Sequence, residues 1–112
     1  MATAACRRYW DRVASLGCCI CGAPAEIAHA HGGSVIMRMQ EPKAKGVKLP
    51  RMDWLVLPLC YHHHRDTSPT GLDRNVAEWE AIYGDQAMWI DRISAKLGVD
   101  VWELARDRKR VA

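Results

Sequence analysis

The chain has 112 residues, of which 49% are apolar and 26% are charged, the balance of one small globular domain. Sixteen Lys and Arg against thirteen Asp and Glu give a net charge of +3, which permits an anionic partner without requiring one. The apolar runs are far shorter than the roughly 20 residues that cross a bilayer, so the sequence excludes a membrane span, and its length excludes a multidomain enzyme.

The first third of the chain is predicted to form a helix, a turn and a short strand. Apolar residues at helical spacing predict a helix over residues 3–16, which Thr3 caps and Gly17 ends. A cysteine-containing turn at 18–22 follows, and a short strand over 25–31 runs up to a pair of glycines.

The middle of the chain is predicted to contain a basic loop, a second strand and more helix. The loop covers residues 34–51, and the strand covers 54–57, where Pro58 ends it. Residues 59–66 are predicted to start a helix. A longer helical pattern over 73–97 contains one glycine that can divide it in two.

A last short helix over 101–106 precedes a basic tail. We therefore expect one α+β domain over residues 1–112. It divides into an N-terminal helix (1–17), a central unit of turn, strands and helix (18–68), and C-terminal helices (73–106).

The cysteine content indicates the compartment. Five cysteines are an odd number, which fits a secreted disulfide scaffold poorly. The first residues also lack the charged-then-apolar pattern of a secretory signal. We therefore expect an intracellular protein, in which thiols stay reduced and act as metal ligands. A core this small often needs a metal to hold it together.

Metal-ligand spacing is the strongest signal in the sequence. Two residues separate Cys18 from Cys21, and two residues separate Cys60 from His63. Each pair can hold one side of a tetrahedral zinc ion, and a helix start places the second pair on one face. The alternative for the first pair is burial as small apolar side chains, but the matching second pair favours a structural zinc. Cys19 is interpreted as a packed neighbour or spare ligand.

Two further histidines flank His63. Successive residues on a helix are about 100° apart, so His64 points away from the face that carries Cys60 and His63. That orientation suits a second, catalytic metal. The alternative is a polar surface cluster, which we prefer for His62.

The order of these features resembles that of the HNH nucleases. It resembles more closely the small phage and prophage members of that superfamily, including the recombination-enhancement (Ref-like) nucleases. The shared features are the cysteine pair, a His at a strand end, a Gly-containing basic loop, an acidic residue and a Leu-Cys-x-x-His-His segment. The matching segments lie within about residues 17 to 90, at 18–22, 28–29, 48–53, 58–60, 63–64 and 80–84.

The resemblance implies a ββα-metal core, in which a hairpin and a helix hold one divalent ion beside the structural zinc. It implies an endonuclease that hydrolyses DNA phosphodiester bonds, with His29 as general base and His64 as metal ligand. Asp53 either orients His29 or joins the metal's ligands. A neutral imidazole, whose ordinary pKa is about 6.5, can take a proton from water at neutral pH. A divalent ion (Mg²⁺, Mn²⁺, Ni²⁺ or Zn²⁺) neutralises the charge that develops on the phosphate.

The chain departs from the family pattern in three respects. One is that some relatives carry another His shortly after the helix pair, where this chain has Asp66, Thr67 and Ser68. Ala28 stands where many relatives have an acidic or histidine metal ligand, and His31 can serve instead, since it shares a strand face with His29. The only Asn in the chain is Asn75, which follows the histidine cluster rather than preceding it.

The expected partner is DNA. The basic loop would hold its backbone by charge, with little base discrimination, through Lys43, Lys45, Lys48 and Arg51. For any one of these lysines the alternative is a solvated loop. The competing function is a zinc-stapled DNA-binding module without nuclease activity, which would have no use for His29. The resemblance places the protein in the cytoplasm of a bacterial or phage-infected cell.

Overall fold

A computed structural model describes residues 2–39, 52–66 and 71–106, in which the chain has an α+β architecture. Two short strands form one sheet, and helices surround it. In chain order the elements are α1 (Ala4–Ser15), β1 (Glu26–His29), α2 (Gly33–Met39), a 3-10 turn (Met52–Trp54), β2 (Val56–Leu59), α3 (Tyr61–Arg65), α4 (Val76–Tyr83), α5 (Gln86–Leu97) and α6 (Val101–Arg106).

Helix α1 forms where the apolar spacing predicts it. The Thr3 hydroxyl accepts a hydrogen bond from the Cys6 backbone N–H at 3.1 Å, which confirms the predicted cap. Three buried side chains, Cys6, Tyr9 and Val13, fix the helix to the rest of the core.

The two strands pair antiparallel, with Ile27 opposite Pro58. The prediction that Pro58 ends the second strand is wrong, because β2 continues to Leu59. Proline only removes a donor, and the Pro58 carbonyl still accepts a hydrogen bond from the Cys19 N–H at 2.9 Å. The strand therefore runs directly into Cys60, which occupies the N-cap position of α3 without a side-chain capping hydrogen bond.

Helix α2 corrects the predicted loop over residues 34–51, because Gly33–Met39 is helical. Val35 is fully buried in the core, and Ser34 is hydrogen-bonded to Glu80 of α4. The residues that make these contacts are far apart in sequence, so tertiary packing rather than local helix propensity stabilises this segment as a helix.

The C-terminal helices follow the predicted pattern over 73–97. Gly84, with φ of +103°, separates α4 from α5, and Gly98 ends α5 in the left-handed conformation. Asp100 caps α6 by accepting a hydrogen bond from the Glu103 N–H at 3.2 Å.

The core lies between the two-stranded sheet and the helices α1, α4, α5 and α6. Its largest fully buried side chains include Trp79, Leu55, Leu57 and Leu72. Within the described ranges, no helix has the length and apolar character needed to cross a membrane.

Glu80 joins α2 to α4 and α5. Its carboxylate accepts hydrogen bonds from the N–H and hydroxyl of Ser34 and from the backbone and side-chain amides of Gln86. Burial raises the pKa of Glu80, but these hydrogen bonds outweigh it and hold the pKa below its ordinary value. A lowered folded-state pKa stabilises the protein above the ordinary pKa of 4.5, and this stability is lost as the pH falls through the folded value.

We therefore expect Glu80→Gln to lower the free energy of unfolding at pH 7 by about 1–3 kcal/mol, the contribution of hydrogen bonds to a charged group. The variant should also lose less stability than the wild type as the pH is lowered. Urea unfolding across the acid range measures both effects. Glu103→Gln, which removes an exposed carboxylate, is the control. Equal acid dependence in Glu80→Gln and the wild type would contradict this assignment.

Candidate metal centre

Four predicted zinc ligands converge in the structure. The ligand atoms of Cys18, Cys21, Cys60 and His63 all lie within 4.8 Å of one another. We call them the Cys3His cluster. The Cys21 and Cys60 sulfurs are 3.7 Å apart, and His63 Nδ1 is 3.8 Å and 3.2 Å from the sulfurs of Cys18 and Cys60. Tetrahedral zinc separates two sulfurs by about 3.7 Å and a sulfur from a nitrogen by about 3.5 Å. The cluster can therefore bind a metal such as zinc.

The first two ligands come from a tight turn after α1. The Cys18 N–H donates to the Ala23 carbonyl at 2.7 Å, and the Gly22 N–H donates to the Cys18 carbonyl at 2.8 Å. Gly22 has φ of +81°, a conformation that favours glycine and lets the chain reverse immediately after Cys21. This geometry directs both thiols to the same side.

The other two ligands come from the start of α3. Cys60 is its N-cap residue, and His63 lies three positions later on the same face. The His63 ring meets the Tyr83 ring edge-on at 5.4 Å, and the His63 carbonyl accepts a hydrogen bond from the Trp79 indole. Burial, and then the neighbouring His62, lower the pKa of His63, which favours the neutral imidazole that metals bind.

The thiols of the cluster differ in acidity. Burial raises the pKa of Cys18, but hydrogen bonds from the N–H groups of Cys60, Cys21 and Ile20 outweigh it and lower the pKa below its ordinary value. The Ala23 N–H lowers the pKa of Cys21, while burial and the thiols of Cys60 and Cys18 raise it more. Of these two thiols, Cys18 is therefore the one more readily available as a thiolate.

The remaining cysteines are packing residues. Burial raises the pKa of Cys19 to about 12, and its side chain packs against the core rather than joining the cluster. Cys6 is buried, and its thiol donates to the Asp53 carbonyl at 3.4 Å.

His64 is buried and faces away from the Cys3His cluster. Its Nδ1 is hydrogen-bonded to the Glu26 carboxylate, and its Nε2 lies 3.0 Å from an oxygen of Asp73. Glu26 also accepts from Arg65 at 2.8 Å. By contrast, His62 is exposed and paired with Asp66, as expected of a polar surface residue.

His31 approaches the same aspartate. Its Nε2 lies 3.9 Å from the second oxygen of Asp73, and its Nδ1 is 3.1 Å from the His29 carbonyl. The side chain of Gln86 holds the His31 backbone, accepting from its N–H at 3.1 Å and donating to its carbonyl at 2.9 Å. Asp73 therefore lies near both histidines through different oxygens, but within the described ranges only the Cys3His cluster has ligand atoms that all lie within 4.8 Å of one another.

His29 is exposed at the end of β1 and contacts a different group. Its ring meets the Trp10 ring edge-on at 5.2 Å, and the Trp10 indole N–H donates to the Asp53 carbonyl at 2.8 Å. Trp10 thus contacts both the proposed base and the Asp53 backbone. Among the described contacts, none joins this group to His64.

The sequence analysis did not identify three residues that contact these histidines, namely Glu26, Asp73 and Gln86. Glu26 could have been found from the sequence, because it lies two positions before Ala28 and so shares its strand face. Asp73 and Gln86 could not, because only the folded chain brings them to the histidines. The predicted DNA contacts at Lys43, Lys45, Lys48 and Arg51 lie outside the described residues.

Comparison with known proteins gives a family without an assigned activity. No curated protein and no solved structure matches the chain. Residues 1–99 match the family described as "Protein of unknown function (DUF968)". Because the match covers most of the chain, the protein belongs to this family.

Proposed function

We propose that the protein is a metal-dependent endonuclease of the HNH type, which hydrolyses DNA phosphodiester bonds with His29 as general base. The order of β1, β2 and α3 agrees with a ββα-metal core. The Cys3His cluster ties the turn before this unit to its helix. The observation that carries the proposal is the orientation of His31 and His64 toward one carboxylate, that of Asp73.

His31 and His64 both make the kind of hydrogen bond that is typical of metal-ligating histidines. A carbonyl can only accept, so the contact of His31 Nδ1 with the His29 carbonyl places a proton on Nδ1, and in the neutral ring this leaves the lone pair on Nε2. Donation from His64 Nδ1 to Glu26 has the same effect on that ring. Histidine ligands are typically oriented in this way, with the nitrogen away from the metal donating to a carbonyl or carboxylate.

The chemistry around Asp73 fits a divalent cation. In the neutral ring with Nδ1 protonated, His64 Nε2 and the Asp73 oxygen 3.0 Å away would both be acceptors, and a cation bound by both atoms would remove that conflict. Two adjacent ligands of an ion with bonds of about 2.1 Å are separated by about 3 Å. Asp73 can therefore supply the acidic ligand that Ala28 lacks. A divalent ion held there would neutralise charge on the phosphate in the transition state.

His29 is suited to act on water because it is exposed. The Trp10 ring edge restricts the orientation of its imidazole. In the proposed step His29 takes a proton from water as the water oxygen bonds to phosphorus. The bond from phosphorus to the departing oxygen breaks, and that oxygen takes a proton from solvent.

One observation favours the second candidate, a zinc-stapled DNA-binding module without nuclease activity. A doubly protonated His64 would satisfy both Glu26 and Asp73 as donor, with no cation between them. In that case the histidines and carboxylates form a structural ion-pair network.

A plasmid-nicking assay separates the two functions. Zinc-loaded protein should nick supercoiled DNA only when Mg²⁺, Mn²⁺ or Ni²⁺ is added. Asp73→Asn should raise the ion concentration needed for half-maximal cutting by about 10–100-fold, the loss typical of altered metal surroundings. Asp85→Asn, which changes an exposed residue before α5, should leave it unchanged. Absence of cutting with every ion would favour the DNA-binding module. If Asp73→Asn needed the same ion concentration as the wild type, Asp73 would not be a ligand of the catalytic ion.

A further inference from the structure

The turn that carries Cys18 also borders a groove. The groove is bounded by the C-terminal end of α1, this turn, and one face of α5, and its volume is about 410 Å³. Pro58, Cys19 and Ile93 supply apolar or weakly polar surface inside it.

The α5 side of the groove is basic. Trp89, Arg92, Ile93 and Lys96 line it at positions i, i+3, i+4 and i+7, so they lie along one helical face. Arg92 and Lys96 are exposed, and among the described residues neither has a carboxylate partner. The Arg92 guanidinium lies over the Trp89 ring, 5.3 Å from its centre, which fixes the charge against the groove wall.

Acidic residues are kept away from this face. No Asp or Glu of the described ranges lines the groove. The acidic residue within α5, Asp91, is engaged elsewhere, accepting two hydrogen bonds from Arg38 and one from the Trp102 indole. The groove therefore presents uncompensated positive charge.

We propose that this groove binds one strand of a nucleic-acid backbone, with Arg92 and Lys96 on neighbouring phosphates. The two cations are about one helical turn, roughly 6 Å, apart along α5, and the groove is partly open to solvent, which suits a continuous polyanion better than a single enclosed anion. The identity of the anion rests on the proposed function, because a nuclease has to hold the backbone of its substrate.

The groove and the proposed base are both bordered by α1 or its C-terminal end. Leu16, which lines the groove, and Trp10, which contacts His29, are six residues apart, about 9 Å along the axis of α1 and about 120° around it. The phosphate contacts of Arg92 and Lys96 supply charge without base edges, so we expect affinity with little sequence preference.

The test measures binding and not cutting. Labelled duplex and single-stranded oligonucleotides are titrated with zinc-loaded full-length protein, without added divalent ions, at several salt concentrations and with anisotropy as readout. Arg92→Ala/Lys96→Ala should weaken binding about tenfold at low salt. It should also reduce the slope of log K against log salt by about 1.8 on duplex, since each phosphate contact contributes about 0.9.

A matched control removes the same charge elsewhere. Arg7→Ala/Arg74→Ala changes two exposed arginines that do not line the groove, and it should keep both the slope and most of the affinity. Zinc content and thermal unfolding check that both double variants fold. The proposal is overturned if the wild type binds no oligonucleotide, or if the two double variants lose affinity and slope equally. If binding depended on the groove but no metal-dependent nicking were observed, the proposed nuclease function would be wrong and the proposed nucleic-acid surface would still be supported.

Discussion

Cys21→Ser is expected to release the metal from the Cys3His cluster and to unfold much of the protein. Binding of a structural zinc supplies about 10–16 kcal/mol in small zinc domains, comparable with the whole stability of an ordinary domain. Cys21 is exposed, so the exchange of sulfur for oxygen removes little packing. The loss of stability in this variant therefore measures almost only the contribution of the bound metal to folding. Zinc content and thermal unfolding by circular dichroism measure it.

Cys19→Ser is the matched control for that experiment. Cys19 is more buried than Cys21 but lies outside the cluster, so its replacement should keep one equivalent of zinc. Its cost should be limited to about 1–2 kcal/mol of burial. Full zinc content and an unchanged melting temperature in Cys21→Ser would show that the ligand assignment is wrong.

His29→Ala is expected to abolish nicking while leaving the fold intact. A positioned general base typically contributes about 10²–10⁴-fold to the rate, so the variant should lose at least that much. Because His29 is exposed, the zinc content and melting temperature of the His29→Ala variant should match those of the wild type. Initial nicking rates at saturating Mn²⁺ measure the effect.

His62→Gln provides the comparison for His29→Ala. It removes an exposed imidazole that pairs with Asp66 on the surface, and the nicking rate should stay within a few fold of the wild type. Equal nicking by His29→Ala and the wild type would eliminate this histidine as the base. A loss of zinc in His29→Ala would instead indicate a structural role.

The sequence predicts the Cys3His cluster well because its signal is local. The two-residue gaps between Cys18 and Cys21, and between Cys60 and His63, fix each pair on one turn of chain. Only the meeting of the two pairs needs the fold. The cap at Thr3 is predictable for the same reason, since it acts within one helical turn.

The surroundings of the histidines were not predictable in this way. Asp73 reaches both His31 and His64, and Gln86 reaches His31 across 55 residues of sequence. Helix α2 was missed for a related reason, because burial of Val35 and the bonds from Ser34 to α4 come from the tertiary structure. Long-range contacts of this kind produce no periodic pattern in the amino-acid sequence.

The attachment of His31 to Gln86 means that the two parts of the candidate site need different lengths of chain. All four ligands of the Cys3His cluster lie at or before residue 63. Both backbone groups of His31 bond to the side chain of Gln86, so the segment after β1 needs residue 86 as well. A C-terminal truncation between residues 63 and 86 would retain every ligand of the cluster and remove this support of His31.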